Sequence, residues 1–264
     1  MELWQILVAL IQGLVEWLPI SSEGQAVLFI YNTGAVPVQD IVSVVVWLHL
    51  GTALAVVARY PREFFAVLTL RNRPLFKRLV IATAATAVTG VPLYFFLRDA
   101  MEAFNGDAVN VLVGLLLIIT AVVLYAPTRI GDDERMFAEP DDRRAGVTGL
   151  AQGLSMLPGL SRSGITVSTL LMQRVDKKEA LRFSFLMSVP AVLGVIVVDL
   201  LTAGMALPPV PLIDLILMEA IVFVSGLLSM EALLRLAERV DFWKLCLILG
   251  AIAIAFGIPS LLAT

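Results

Sequence analysis

Two short polar segments interrupt long apolar runs of this chain, and both carry residue types suited to binding phosphate. The first, residues 16–24, reads EWLPISSEG, and the second, residues 158–164, reads PGLSRSG. The guanidinium group of Arg162 presents a planar set of donors that matches phosphate oxygens. A charged residue inside an apolar stretch is expected to be functional. The second segment therefore predicts an anion site.

The prolines and serines of the two segments predict that each is a break between two half-helices. Pro19 and Pro158 are expected to end one half-helix each, because proline has no N–H to continue the helical hydrogen bonds. Four serines that follow the prolines are good N-caps for the next half-helix: Ser21, Ser22, Ser161 and Ser163. Free N–H groups and the positive end of the dipole favour anions at a helix start, so two facing starts predict a phosphate site.

An acidic residue, Glu16, precedes the first break by about one helical turn. Beside a phosphate, a carboxylate either binds Mg²⁺ or Ca²⁺ or activates water. The alternative is an ion pair between Glu16 and Arg162 that only holds the two breaks together. Gln12 shares the helix face of Glu16, and Thr166 lies one turn beyond Arg162, where its hydroxyl can face the same ligand.

Other polar residues in the apolar runs are weaker candidates. Ser22 is a candidate nucleophile, although no histidine stands near it in the sequence. His49, the only histidine, lies in an apolar run and is interpreted as a core residue or as support for the site rather than as a catalytic group. Asp199 is expected to cap a helix or to pair with another side chain.

Composition places the chain among polytopic helical membrane proteins. Hydrophobic residues make up 59% of the 264 residues and charged residues only 16%, and the mean hydropathy is +0.92, whereas soluble proteins carry about 25% charged residues. The single cysteine, Cys246, excludes a disulfide framework and a cysteine metal site. The N-terminus lacks a basic region, so we expect no cleaved signal peptide. Nothing indicates nucleic-acid binding, since the basic residues lack interleaved aromatic residues.

Six apolar runs approach the roughly 20 residues that span a bilayer. They lie at about 41–60, 77–97, 108–126, 180–203, 211–231 and 243–262. Two further apolar segments, at about 2–34 and 146–173, contain the polar breaks and are too short for two crossings each. The sequence therefore predicts an all-α protein with six transmembrane helices and two re-entrant helical hairpins.

The positions of the basic residues predict the orientation in the membrane. Of the 19 lysines and arginines, all but Arg98 and Arg162 lie in four segments: 59–78, 127–145, 174–182 and 232–244. With six spans and two hairpins these segments fall on one face, which the positive-inside rule makes cytoplasmic. Both termini are then expected on the outer face of the cell membrane.

The two halves of the chain repeat each other. Residues Gln12-Gly13-Leu14, Ser21 and Gly24 are echoed by Gln152-Gly153-Leu154, Ser161 and Gly164. Each half, about 1–130 and 146–264, would hold one hairpin and three spans, joined by a cytoplasmic linker at about 127–145. Three is odd, so the halves are inverted, as in transporters that use broken helices at the midplane. The pairs Thr89-Gly90 and Ser225-Gly226 are expected to allow close helix contact.

The two breaks resemble the motifs of undecaprenyl-pyrophosphate phosphatases, membrane enzymes that recycle the lipid carrier of cell-wall synthesis. Residues 158–166, PGLSRSGIT, are similar to the family's PGxSRSxxT motif, and residues 12–24 to its (E/Q)xxxE motif followed by LPxSSxGH. The resemblance covers nearly the whole chain. It implies six spans, two re-entrant hairpins, a homodimer and a metal-assisted phosphatase site that opens to the outer face of the membrane.

The resemblance also assigns roles to residues. Glu16 matches the glutamate used for metal binding or catalysis, and Ser21 and Ser22 match the family's serine pair. The phosphate-binding set is matched by Ser161, Arg162, Ser163, Gly164 and Thr166. The chain departs from the pattern at Gln12, which replaces a carboxylate, at Gln25, which replaces a histidine, and at Glu23, which occupies a position usually small or hydroxylic. We hypothesise that Glu23 restores the missing charge as a second metal ligand.

These observations favour a membrane hydrolase that converts a polyprenyl diphosphate to the monophosphate, with Glu16, Arg162 and Ser22 as catalytic candidates. A transporter or flippase that binds the polyprenyl phosphate headgroup without cleaving it is the alternative. A purely structural scaffold is less favoured, because it leaves an arginine between two helix N-termini unexplained.

Overall fold

The computed structural model describes residues 1–103, 107–129, 137–236 and 242–261. Within these ranges the chain is helical, with turns, two short 3₁₀ segments and one isolated β-bridge between Phe137 and Val175. The helices are α1 (Leu3–Val15), α2 (Ser22–Thr33), α3 (Val38–Arg59), α4 (Pro61–Leu68), α5 (Arg73–Ala103), α6 (Asp107–Tyr125), α7 (Asp142–Gly153), α8 (Arg162–Met172), α9 (Lys177–Thr202), α10 (Leu212–Leu236) and α11 (Phe242–Leu261). Part of the predicted linker, 130–136, lies outside the described residues.

Among the described residues, five helices are long and apolar enough to cross a membrane. They are Val38–Arg59, Arg73–Arg98, Ala108–Thr128, Lys177–Thr202 and Leu212–Met230. The segment Phe242–Ile258 in α11 is apolar but shorter, and it occupies the sixth predicted run. The protein is therefore an all-helical, multi-pass membrane protein.

A pair of short helices flanks each predicted break. Helices α1 and α2 have 13 and 12 residues, and α7 and α8 have 12 and 11, so none reaches the roughly 20 residues of a full crossing. The first helix of each pair ends earlier than predicted, at Val15 and Gly153 rather than at the proline. Leu157 has an extended backbone, as expected for a residue that precedes proline.

Glycine allows several helix pairs to pack backbone against backbone. A Cβ added to Gly13 of α1 would lie 2.8 Å from the carbonyl oxygen of Val222 on α10, and one added to Gly153 of α7 would lie 2.6 Å from that of Thr86 on α5. Gly13 also faces Ser225 and Gly226, and Gly153 faces Thr89 and Gly90. The predicted close contacts at these small-residue pairs are confirmed. They hold α1 and α7, and hence the breaks that follow them, against the long helices.

Candidate phosphate site

The two breaks meet in the structure. The backbone N–H of Gly159 donates to the Ser21 hydroxyl at 3.0 Å, and the Ser163 hydroxyl donates to the Leu18 carbonyl at 3.3 Å. A Cβ added to Gly24 would lie 2.9 Å from the nitrogen of Gly159, so only glycine fits between the breaks. Segments far apart in the chain therefore form one site.

Serine caps bring two helix N-termini to this site. The hydroxyls of Ser21 and Ser161 accept from the N–H groups of Gly24 and Gly164 at 3.1 and 3.2 Å. Ser22 and Ser163 are the other two predicted caps, and they lie inside the first turns of α2 and α8 instead. Ser21 adopts a left-handed backbone with φ of 60°, a conformation that is costly for residues other than glycine and concentrates at functional sites.

Glu16 and Arg162 form a buried ion pair across the breaks. Nη2 of Arg162 contacts Oε1 of Glu16, although 146 residues separate the two in sequence. Nη1 of Arg162 is buried and has no hydrogen-bond partner among the residues that the structure describes. Half of the guanidinium group is thus held by the carboxylate, and the other half presents an unused donor. Burying such a donor without a partner is costly, so this nitrogen is suited to receive an anion.

The second oxygen of Glu16 is also engaged. Oε2 accepts from Nε2 of Gln12 at 2.7 Å and from the hydroxyl of Ser22 at 2.6 Å. The side chain of Glu16 is only 2% exposed. The ion pair considered from the sequence is present, and this carboxylate has two further donors besides it.

A cavity of about 170 Å³ lies beside the ion pair. Its polar end is formed by Glu23, His49 and Arg162, which lie around Glu16, and Gln152 and Ser155 also line the cavity. Most of the other lining residues come from α5 and α9. They are mainly apolar or small (Ala87, Gly90, Val91, Ala191, Val192, Gly194, Val195 and Val198), with the polar side chains of Thr83, Thr86, Tyr94 and Ser188 among them. The cavity joins one charged end to a mainly apolar groove between two membrane-spanning helices.

The Glu23 carboxylate is the donor in this cavity best suited to a metal ion. Among the described residues it has no hydrogen-bond or ion-pair partner, and its charge and that of Glu16 repel each other. No group of three or more histidine, cysteine, aspartate or glutamate side chains that could hold a metal is found in the described part of the chain. Mg²⁺ commonly needs only one or two carboxylates when substrate phosphates and waters complete its coordination. The residues present fit a metal that binds together with a phosphate ligand.

Some predicted site residues do not line the cavity. Gln12 and Thr166 are fully buried, and the Thr166 hydroxyl lies 2.6 Å from that of Ser184 on α9. The Ser161 and Ser163 hydroxyls lie 3.2 Å from each other. Gln25 is half-buried, and its Nε2 atom has no hydrogen-bond partner in the described part of the chain. These polar contacts of Thr166, Ser161 and Ser163 are to protein atoms rather than to the cavity.

The structure adds two features to the site that the sequence does not predict: the closeness of His49 to Glu16, and the α5 residues that line the cavity. Nε2 of His49 lies 3.7 Å from Oε2 of Glu16, so the histidine belongs to the site. No signal in the residues around His49 places it there, because the approach of α3 to α1 depends on tertiary packing. Asp199, which was expected to cap or pair, accepts from Ser43, Trp47 and Tyr94 at 2.6 to 3.0 Å.

Comparison with known proteins agrees with the resemblance at the breaks. The family described as bacitracin resistance protein BacA matches residues 5–253. An undecaprenyl-diphosphatase of Methanopyrus kandleri is 38% identical over 96% of this chain and 95% of its own length. Undecaprenyl-diphosphatases of Haloarcula marismortui and Methanothrix thermoacetophila are 38% and 37% identical, over 96% and 93% of both chains.

Proposed function

Because the chain belongs to the bacitracin resistance protein BacA family, we propose that it is an integral membrane phosphatase that hydrolyses a polyprenyl diphosphate, such as undecaprenyl diphosphate, to the monophosphate. The observation that carries the proposal is the unused Nη1 donor of Arg162 at the junction of two helix N-termini. The names of the relatives favour hydrolysis over a transporter or flippase that only binds the headgroup.

The terminal phosphate binds beside the contact between the two breaks, at the polar end of the cavity. Nη1 of Arg162 and the first-turn N–H groups of α2 and α8 donate to its oxygens, and Glu16 holds the guanidinium group in position. Phosphoryl transfer is catalysed mainly by positioning and by stabilising the charge on the oxygens. A donor fixed in advance by a buried carboxylate meets this requirement, because it does not have to reorganise when the charge develops.

We propose that Mg²⁺ or Ca²⁺ binds with the diphosphate, held by Glu23 and by substrate oxygens. A bound divalent cation neutralises charge on the phosphate oxygens. Glu16 was the other predicted ligand, but its two oxygens already accept from Arg162, Gln12 and Ser22. We therefore propose that Glu16 anchors Arg162, and its role as a direct metal ligand stays a prediction from the sequence.

The polyprenyl tail lies in the apolar groove between α5 and α9. The groove continues from the polar end of the cavity that contains Glu23, His49 and Arg162. Small residues leave space on both walls: Ala87 and Gly90 on α5, Ala191 and Gly194 on α9. A lipid substrate then reaches the site sideways, without leaving the membrane.

We further propose six spans with two re-entrant hairpins, arranged as an inverted repeat with both termini outside. Two observations support this arrangement. Helix α1 packs on α10 as α7 packs on α5, each through a glycine at the equivalent position. Gly114 of α6 and Gly250 of α11 approach each other reciprocally, and a Cβ added to either would lie 2.7 Å from the carbonyl oxygen of the other. The single domain with its cytoplasmic linker and the homodimer remain predictions.

Phosphate release by the purified protein tests the proposal. Wild-type protein with a short-chain prenyl diphosphate and Mg²⁺ is expected to release inorganic phosphate, whereas Arg162→Ala protein is expected to lose most of the turnover. Binding of the diphosphate without release by wild-type protein, with either Mg²⁺ or Ca²⁺ present, would instead support the transporter. Arg62→Ala, which removes an exposed guanidinium group on α4 outside the cavity, is the matched control for general effects of substitution.

A further inference from the structure

The imidazole of His49 lies at the polar end of the cavity, and the proposed binding of the diphosphate leaves it without a role. Its side chain is 16% exposed, and it lines the cavity together with Glu23 and Arg162. It is the only imidazole in the chain. A ring that can be reached from the cavity and is packed against the anchoring carboxylate can take part in proton transfer.

Hydrogen bonding determines which ring nitrogen of His49 is free. Nδ1 lies 2.8 Å from the carbonyl oxygen of Val45, one turn earlier on α3. A carbonyl oxygen only accepts, so Nδ1 carries the hydrogen and donates it. In the neutral ring Nε2 then has a lone pair. The backbone of α3 therefore fixes both the tautomer and the direction of the ring.

The free nitrogen faces the site and has no hydrogen-bond partner among the described residues. Nε2 of His49 lies 3.7 Å from Oε2 of Glu16, which is too long for a hydrogen bond. That oxygen already accepts from Gln12 and Ser22, so Glu16 is poorly placed to take another proton. Nε2 is the ring atom that remains open to a water molecule in the cavity.

We infer that His49 is the general base of the reaction, an inference that rests on the proposed function. The oxygen of a water molecule forms a bond to the terminal phosphorus of the diphosphate, and one water proton moves to Nε2 of His49. The bond between the terminal phosphorus and the bridging oxygen breaks, and its electron pair stays on that oxygen, which becomes an oxygen of the polyprenyl monophosphate. The proton on Nε2 then leaves to solvent.

Glu16 favours this transfer through its charge. When Nε2 accepts the proton, the positive imidazolium lies 3.7 Å from the Glu16 carboxylate, and an opposite charge at that distance stabilises it. The same carboxylate orients Arg162. One buried glutamate thus supports both the group that holds the phosphate and the group that accepts the proton.

Substitution of His49 tests the inference in the purified full-length protein. His49→Gln keeps a polar side chain of similar reach but removes the basic nitrogen. With a short-chain prenyl diphosphate and Mg²⁺, we expect kcat to fall by about 10²–10⁴-fold, the contribution typical of general acid–base catalysis. Affinity for a methylene-bridged diphosphate analogue, which cannot be hydrolysed, should stay near that of wild type, because His49 is not assigned to binding. Imidazole added to His49→Ala protein should restore part of the turnover.

Three results would overturn the inference. The first is a fall in kcat of less than about tenfold for His49→Gln. The second is a larger fall matched by an equal loss of analogue affinity, which would make His49 a binding residue. The third is a large fall in kcat for Glu23→Gln at saturating Mg²⁺ with full turnover in His49→Gln, which would make Glu23 the base. Failure of wild-type protein to release phosphate would instead contradict the proposed function.

Discussion

Because Glu16 and Arg162 form a buried ion pair, an alanine substitution at either position is expected to change both the turnover and the stability of the protein. Removing one partner of such a pair leaves the other charge buried without compensation. The sequence alone predicts that alanine at either position lowers turnover while the protein still folds. The two contacts of Glu16 beyond Arg162, from Gln12 and Ser22, indicate a loss of stability as well.

We expect Glu16→Ala to lower the free energy of unfolding by about 3–5 kcal/mol, the cost of breaking a buried pair. Glu16→Gln is the matched control, because its amide oxygen can still accept from Ser22 or Gln12 and its shape is unchanged. It should lose turnover with a smaller loss of stability. Thermal unfolding in detergent, measured as Tm for both variants, distinguishes them, and equal Tm values for wild type and Glu16→Ala would contradict a structural role for the pair.

The carboxylate of Glu23 is expected to set the metal dependence. In Glu23→Gln protein the Mg²⁺ concentration for half-maximal phosphate release should rise by about tenfold or more, because a direct ligand is replaced by a neutral amide. The control is Asp40→Asn, which neutralises a carboxylate in the first turn of α3 outside the cavity. Wild-type activity with an unchanged Mg²⁺ requirement in Glu23→Gln would end the hypothesis.

At the scale of helices, the close packing of α7 against α5 depends on glycines that lie on one face of α7. A Cβ added to Gly149 would lie 2.2 Å from the carbonyl oxygen of Ala82, whereas one added to Gly146, one turn earlier, would meet only a methyl group of Ile81 at 3.4 Å. Gly149→Ala is expected to push the helices apart and lower Tm. Gly146→Ala should keep or raise Tm, since alanine favours helix over glycine by up to about 1 kcal/mol. Similar Tm values for the two variants would contradict the close packing.

The groove between α5 and α9 is expected to discriminate between substrates by tail length. A Cβ added to Gly194 meets no atom within 4 Å, so Gly194→Leu should fold and fill part of the groove. KM for a long polyprenyl diphosphate should rise, while KM for a short-chain prenyl diphosphate should change little. Val197→Leu, on a side chain that is 53% exposed and outside the cavity lining, is the control. An equal effect of Gly194→Leu on both substrates would argue against this path for the tail.

The helix breaks could be predicted from sequence because the signals are local. Proline, serine and glycine act on their own turn, so the two breaks and the starts of α2 and α8 follow from the residues at positions 12–24 and 152–164. The ends of α1 and α7 do not, because these helices stop four and five residues before the proline. The sequence does not show which serine caps each helix. Ser21 caps α2 with a left-handed backbone, and the hydrogen bond from Gly159 to its hydroxyl supports this conformation. The groove and the position of His49 depend on how long helices cross, and neither leaves a local pattern.

At the scale of the whole molecule, the predicted orientation can be tested with single cysteines. Cys246 is buried and is the only cysteine, so Cys246→Ser gives a cysteine-free background. Thr69→Cys lies between α4 and α5 in the basic region 59–78, and Ala206→Cys lies between α9 and α10. A membrane-impermeant maleimide applied to intact cells should label Ala206→Cys and should label Thr69→Cys only after lysis. The reverse pattern would invert the proposed topology.

The groove between α5 and α9 predicts how turnover depends on the amount of lipid or detergent around the protein. Because the groove runs between two helices long enough to cross a membrane, a diphosphate must share the same bilayer or micelle as the protein before it can bind. Adding empty detergent micelles at constant total substrate lowers the number of substrate molecules per micelle, so the reaction should slow. The rate should follow the mole fraction of substrate in the amphiphile phase rather than its molarity in water.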